Sequence, residues 1–162
     1  METIQETAAQ GGLTQMISFS LGGEEYGVDI RAVKEVIRIG AITSLPGAAS
    51  FVKGVLNLRG DVIPIIDLRD KFGLPSSDYT DTSRVIVVDI NDKSIGMVVD
   101  NVSRVIRIGQ DQIDPAPPWL GGLASELLQG VVRLGERLVI LLNIEAVLST
   151  DERIALDTMK RD

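Results

Sequence analysis

The sequence predicts a mainly β protein of two small closed barrels that arose by internal duplication. Three observations lead there. The pentapeptide VIRIG occurs at both Val36 to Gly40 and Val105 to Gly109. The flanking sequence repeats with it, and each copy is a succession of short apolar strings separated by turn residues. Closure into barrels follows because short strands with apolar faces leave sticky edges in an open sheet.

Beginning at Gly27, GVDIRAVKEVIRIGAITSLP aligns without gaps on GMVVDNVSRVIRIGQDQIDP, which begins at Gly96. Gly27, Val33, the pentapeptide and Pro46 all meet identical residues at an offset of 69. Further on, KGVLNLRGDVIPIIDLRDKF from Lys53 matches the apolar pattern of QGVVRLGERLVILLNIEAVL from Gln129 at an offset of 76. The seven added residues fit the proline- and glycine-rich stretch DPAPPWLGGLAS.

Taken in order, MISFSLGGEEYGVDI reads as strand, Gly22-Gly23 turn and strand. RVIVVDINDKSIGMVVD has the same form around Asn91, Asp92 and Lys93. A further hairpin recurs in each half, with Gly60-Asp61 and Gly135-Glu136 as turn candidates. A short helix follows each, capped by Asp67 and ended by Gly73 in DLRDKFG, and capped by Asn143 in NIEAVLS. Ser149 and Glu152 have capping-box spacing, which predicts a final amphipathic helix over 149–162. The expected organisation is a flexible arm (1–15), a single domain (16–150) of two intertwined lobes (about 16–83 and 84–148), and the C-terminal helix. Lobes this small are marginal alone, so they should pack around a shared apolar seam that leaves a groove.

Composition restricts the chemistry. The 162 residues are 44% hydrophobic, enough for a substantial core, and contain neither cysteine nor histidine. Disulfides, thiolate metal sites and the commonest general base are thereby excluded, and no cofactor is expected. A net charge of −7 opposes nucleic acid and anionic lipid, and few aromatic residues are available to stack on bases. The N-terminus lacks a basic region and an apolar core, and no apolar run reaches membrane-spanning length, so a soluble cytoplasmic protein is expected.

EEYGVDIRAVKEVIRI, SFVKGVLNLRGDVIPIIDLRDKFG and SIGMVVDNVSRVIRI together resemble the CheW family of bacterial chemotaxis coupling proteins. The resemblance runs from Met16 to about Leu156. It implies two SH3-like five-stranded barrel lobes and a non-enzymatic scaffold that links the cytoplasmic tips of methyl-accepting chemoreceptors to the regulatory domain of the histidine kinase CheA. It also implies rings in which CheW copies and kinase domains pair lobe to lobe, in cytoplasmic arrays at the membrane.

The candidate receptor- or kinase-binding residues are Ile30, Val33, Glu35, Val36, Gly54, Arg59, Val98 and Val99. Arg59 lies beside the turn, its counterpart is Gly135, and its planar fork of donors suits a carboxylate. A solvated strand end or a local salt bridge is the competing reading. Gly54 faces Gly130 in the repeat, which favours a backbone role, a bulge or close packing. Val33 and Val36 recur as Val102 and Val105, so core packing competes with binding for both. Glu35 is replaced by Arg104 in the second copy, as suits two lobes with different partners. Ile30, Val98 and Val99 are candidates for the groove wall or for core. The acid pair Glu24-Glu25 reads as solvated, and Trp119 as either a partner anchor or a seam plug. Related functions are a coupler of another array-based pathway, such as type IV pilus motility, and more distantly an oligonucleotide-binding barrel or an enzyme using carboxylates alone. Acidity opposes the oligonucleotide binder, and no acid pair has the apolar setting that catalysis would need.

Overall fold

A computed structural model describes residues 14–40, 42–44, 52–75, 78–90, 92–115 and 127–148. Residues 1–13 of the arm, Asn91, Trp119 and the expected C-terminal helix lie outside them, whereas Thr14 and Gln15, expected in the flexible arm, belong to the first strand and pair with Ile108 and Arg107. The first hairpin is β1 (Thr14–Leu21) and β2 (Glu24–Asp29), joined by Gly22-Gly23 at φ of 61° and 86°, values that cost glycine little. A 3-10 turn at Ile30–Ala32, capped by the Asp29 carboxylate, leads into β3 (Val33–Arg38). β4 (Val52–Leu58) and β5 (Asp61–Asp67) form the next hairpin, and Asp67 caps the four-residue helix α1 (Leu68–Lys71) as its sequence predicts. β6 (Arg84–Ile90), β7 (Lys93–Val99), β8 (Asn101–Ile108) and the two-residue β9 (Ile113–Asp114) follow. β10 (Leu128–Leu134) and β11 (Arg137–Leu142) end the strands. Asn143 caps only a 3-10 turn, Ile144–Ala146, and not the expected helix.

The strands form two sheets, ordered β8-β1-β2-β11-β10-β9 and β3-β6-β7-β5-β4. Neither sheet coincides with one half of the sequence. β1 and β2 pair with β8 and β11, while β6 and β7 pair with β3 and β5. Each half therefore donates its first hairpin to the other half's sheet. The second sheet is contiguous in sequence, 33–99, and the first is built from the segments on either side. The 83/84 boundary expected between the lobes does not divide the sheets.

The duplication is exact in register at its key points. Gly27 lies opposite Leu141 where β2 runs parallel to β11, and Gly96 lies opposite Ile65 where β7 runs parallel to β5. A Cβ on Gly96 would come within 2.6 Å of both Ile65 and Val85, and one on Gly27 would collide with Met16, the equivalent of Val85. These glycines are retained because a parallel strand pair and a packed barrel interior meet there. Closure is also repeated. The chain leaving β3 turns back so that Thr43 and Val55 exchange two backbone hydrogen bonds of 2.9 and 2.8 Å. Leaving β8, it does the same through β9 onto β10. Thr43 is thus equivalent to Asp114, so two of the seven added residues fall before Asp114, in the stretch holding the 3-10 turn Gln110–Gln112.

Three apolar clusters form among the described residues. Leu56, Ile63, Ile65, Val85, Val87 and Val98 fill the second sheet, and Met16, Ile108, Val132, Val139 and Leu141 fill the first. The largest joins the two, with Phe19, Leu21 and Val28 of one meeting Ile66, Ile86, Val88 and Met97 of the other. This is the shared seam. Alternate residues of β6 enter either the barrel or the seam, which is why that strand is apolar on both faces.

Candidate functional site

β4 pairs Leu58 with Asp61, so the turn is made by Arg59-Gly60, one residue before the expected pair. Both have positive φ, 50° and 92°, the form whose twist matches a two-residue hairpin. Asn57 accepts a hydrogen bond of 2.9 Å from the Gly60 amide. Arg59 therefore sits not at a strand end but in the left-handed region that its counterpart Gly135 also occupies, at φ 64°. Its side chain is 70% exposed and forms an ion pair with Glu35 on edge strand β3, whose side chain is 25% exposed. The Glu35 carboxylate raises the pKa of the guanidinium above its ordinary value. An exposed pair contributes little to stability. Its effect is to hold a charged fork at the hairpin tip.

Val33 and Val36, on the same strand, are half-buried against the seam, as is Ile30. They combine packing with partial access. Gly54 is buried at a bulge in the β4 ladder, where a Cβ would collide with the Thr43 carbonyl and reach 2.7 Å from Ile42. Gly130 repeats both the bulge and the approach, 2.6 Å from the Asp114 carbonyl. The glycine serves the backbone. Val98 and Val99 do not line a partner groove: at 3% and 1% exposure they belong to the barrel and seam cores respectively. β7 is the central strand of its sheet, with both edges paired, and its two faces pack into the barrel and the seam. Beside Val98 and Val99 lies a crevice of about 10 Å³, room for roughly one water.

Sequence reasoning missed two polar clusters. Arg69, in the IIDLR stretch, donates to Asp100 at 3.1 and 2.7 Å, and Asp100 also accepts from the Gly22 amide at 2.9 Å. This ties α1 and the end of β7 to the β1-β2 turn across the seam. Glu25, expected to be solvated, instead accepts from Ser18 and from Arg137 at 2.9 and 2.7 Å. Burial raises its pKa, but these donors outweigh burial and leave it below the ordinary carboxylate value. Asp67 behaves oppositely, its pKa raised by burial, and it faces Tyr79, whose own pKa burial and Asp67 push up to about 12. No residue spacing signals either cluster, because Arg69 and Asp100, like Glu25 and Arg137, are distant in sequence.

The CheW-like domain model matches residues 15–152. The chain belongs to the CheW family. The chemotaxis protein CheW of Klebsiella aerogenes is 39% identical over 161 residues, covering 99% of this chain and 97% of that one. The CheW of Helicobacter pylori is 38% identical over 137 residues, covering 85% and 82%, and the protein FrzA of Myxococcus xanthus is 33% identical over 144, covering 88% and 89%. Among solved structures, the scaffolding protein TtCheW of Thermoanaerobacter tengcongensis superposes with a TM-score of 0.79 at 32% identity, covering 86% of this chain and 94% of its own. The two sheets are accordingly the SH3-like lobes of the CheW fold, and the chain is a coupling adaptor of chemotaxis signalling.

Proposed function

We propose that this CheW-like chain holds the cytoplasmic tips of chemoreceptors and the regulatory domain of the kinase CheA in one assembly, and that it does so without chemistry of its own. Family membership over nearly the whole chain is the observation that carries the reading. The binding residues are Glu35 and Arg59 as charged contacts, with Ile30, Val33 and Val36 as half-buried apolar contacts on the neighbouring seam side. Gly54 acts by keeping the β4 bulge in place, and Val98 and Val99 by packing beneath the surface. Assembly in rings with further CheW copies, at membrane-associated arrays in the cytoplasm, completes the proposal. A coupler of another receptor pathway would use the same face and differ only in the receptor.

Such a protein alters kinase activity only by binding one kinase population better than another. In reconstituted arrays, kinase activity should rise with added protein and then fall as excess copies cap receptor and kinase separately. Activation at amounts far below stoichiometric would contradict a scaffold.

A further inference from the structure

Arg31, Arg59, Arg69, Arg133 and Arg137 each hold a carboxylate. Arg38 has no hydrogen bond or ion pair among the described residues, and it stands directly opposite Arg84 in the β3-β6 ladder. Directly opposed residues share a face, and like charges so placed repel. The face is identifiable. Val36 and Ile86, two positions further along the same ladder and also opposed, both pack on the seam, so Arg38 and Arg84 extend the seam face outward to its rim. Arg84 is held in place by its Nη1, which donates to the Asp81 and Ser83 carbonyls at 2.8 Å each. Its Nε and Nη2 have no partner among the described residues.

Two arginines on directly opposed positions of one sheet face favour an anion between them, which would offset their repulsion. We propose that Arg38 and Arg84 form a clamp for an acidic side chain of the receptor, a specificity contact beyond the Glu35–Arg59 pair. The assignment to the receptor rests on the functional reading above, because Arg38 continues the face of Val36 on the strand that carries Val33 and Glu35. A carboxylate fits better than an amide or hydroxyl, since it alone carries charge opposite to both cations while accepting from two forks.

The test uses the full chain and its Arg38→Gln and Arg84→Gln variants. In sodium chloride, Arg38→Gln should melt at or above the wild-type temperature, because it removes the repulsion. Inorganic phosphate at equal ionic strength should raise the melting temperature of the wild type but not of either variant. Affinity for a receptor-tip fragment should fall about tenfold or more in both variants, the scale of one charge-assisted contact, with affinity for the kinase regulatory domain unchanged. Unchanged receptor affinity in the variants, beside a wild type that binds, would overturn the clamp. A phosphate effect with unchanged receptor affinity would make the pair a free-anion site and would equally overturn it. A wild type that binds no receptor fragment would instead overturn the functional reading, and the lack of any phosphate effect would then dispose of the anion clamp as well.

Discussion

Arg59 occupies a backbone position suited to glycine, yet it carries the largest mobile charge-bearing side chain at the hairpin tip. The Arg59→Gly substitution should therefore leave the urea midpoint unchanged or raise it, since it relieves a left-handed residue and loses only an exposed ion pair. Receptor or kinase binding should weaken by at least about tenfold. A lowered midpoint would make Arg59 a structural residue, and retained binding to both partners would reduce its pair with Glu35 to ordinary surface contact. Glu25 gives the opposite kind of prediction. Its pKa is depressed in the folded state, so its contribution is present above the unfolded value of about 4.3 and is lost as pH falls through the folded one. Wild type should melt well above Glu25→Gln at neutral pH, and the gap should close in acid. A gap that stays constant down to pH 2 would show that the carboxylate's charge is irrelevant to its role.

At the scale of elements, the bulges at Gly54 and Gly130 are predicted to be equivalent. Alanine at either would drive a Cβ into a backbone carbonyl, which cannot swing aside as a side-chain tip can. Each should cost about 1 to 3 kcal/mol in a urea melt, and a neutral result at both would mean that the β4 and β10 bulges relax freely. The strands, the hairpins, the first helix cap and the glycine equivalences were legible in the sequence because they depend on local alternation and on the repeat. The exchange of hairpins was not, since alternation specifies which face a residue takes but not which strand lies beside it. One sign was present. The strings VIVV in β6 and MVV in β7 are apolar on both faces, as central strands between a barrel and a seam must be, and this marks Val98 and Val99 as core. Similarly, NLRGD allows two turns one residue apart, and the alignment of Arg59 with Gly135 selects the observed one. Glu25 and Asp100 had no such sign. The exchange predicts that fragment 16–81 has neither sheet complete, whereas 33–99 retains every strand of the second. Amide exchange should show no cooperative protection in the first fragment, and slow exchange in β6 and β7 of the second. Native-like protection in 16–81 would contradict the exchanged topology.

At the scale of the molecule, the apolar clusters of the described residues join two lobes between which the chain crosses from β2 to β3 and from β7 to β8. Asp100, at the second crossing, binds both α1 and the first turn, so hydrogen bonds as well as the packed seam join the two lobes. Two lobes of the same fold, with opposite charges at the equivalent positions Glu35 and Arg104, give one body two different faces. That is what a coupler needs, because it must hold two unlike partners at once. The most direct measurement is sedimentation of the purified chain with a receptor-tip fragment and the kinase regulatory domain, first in pairs and then together. The predicted result is a ternary species in which the chain binds both partners simultaneously, with neither reducing the affinity of the other. Mutually exclusive binding, in which added kinase domain displaces the receptor fragment, would contradict a coupling adaptor.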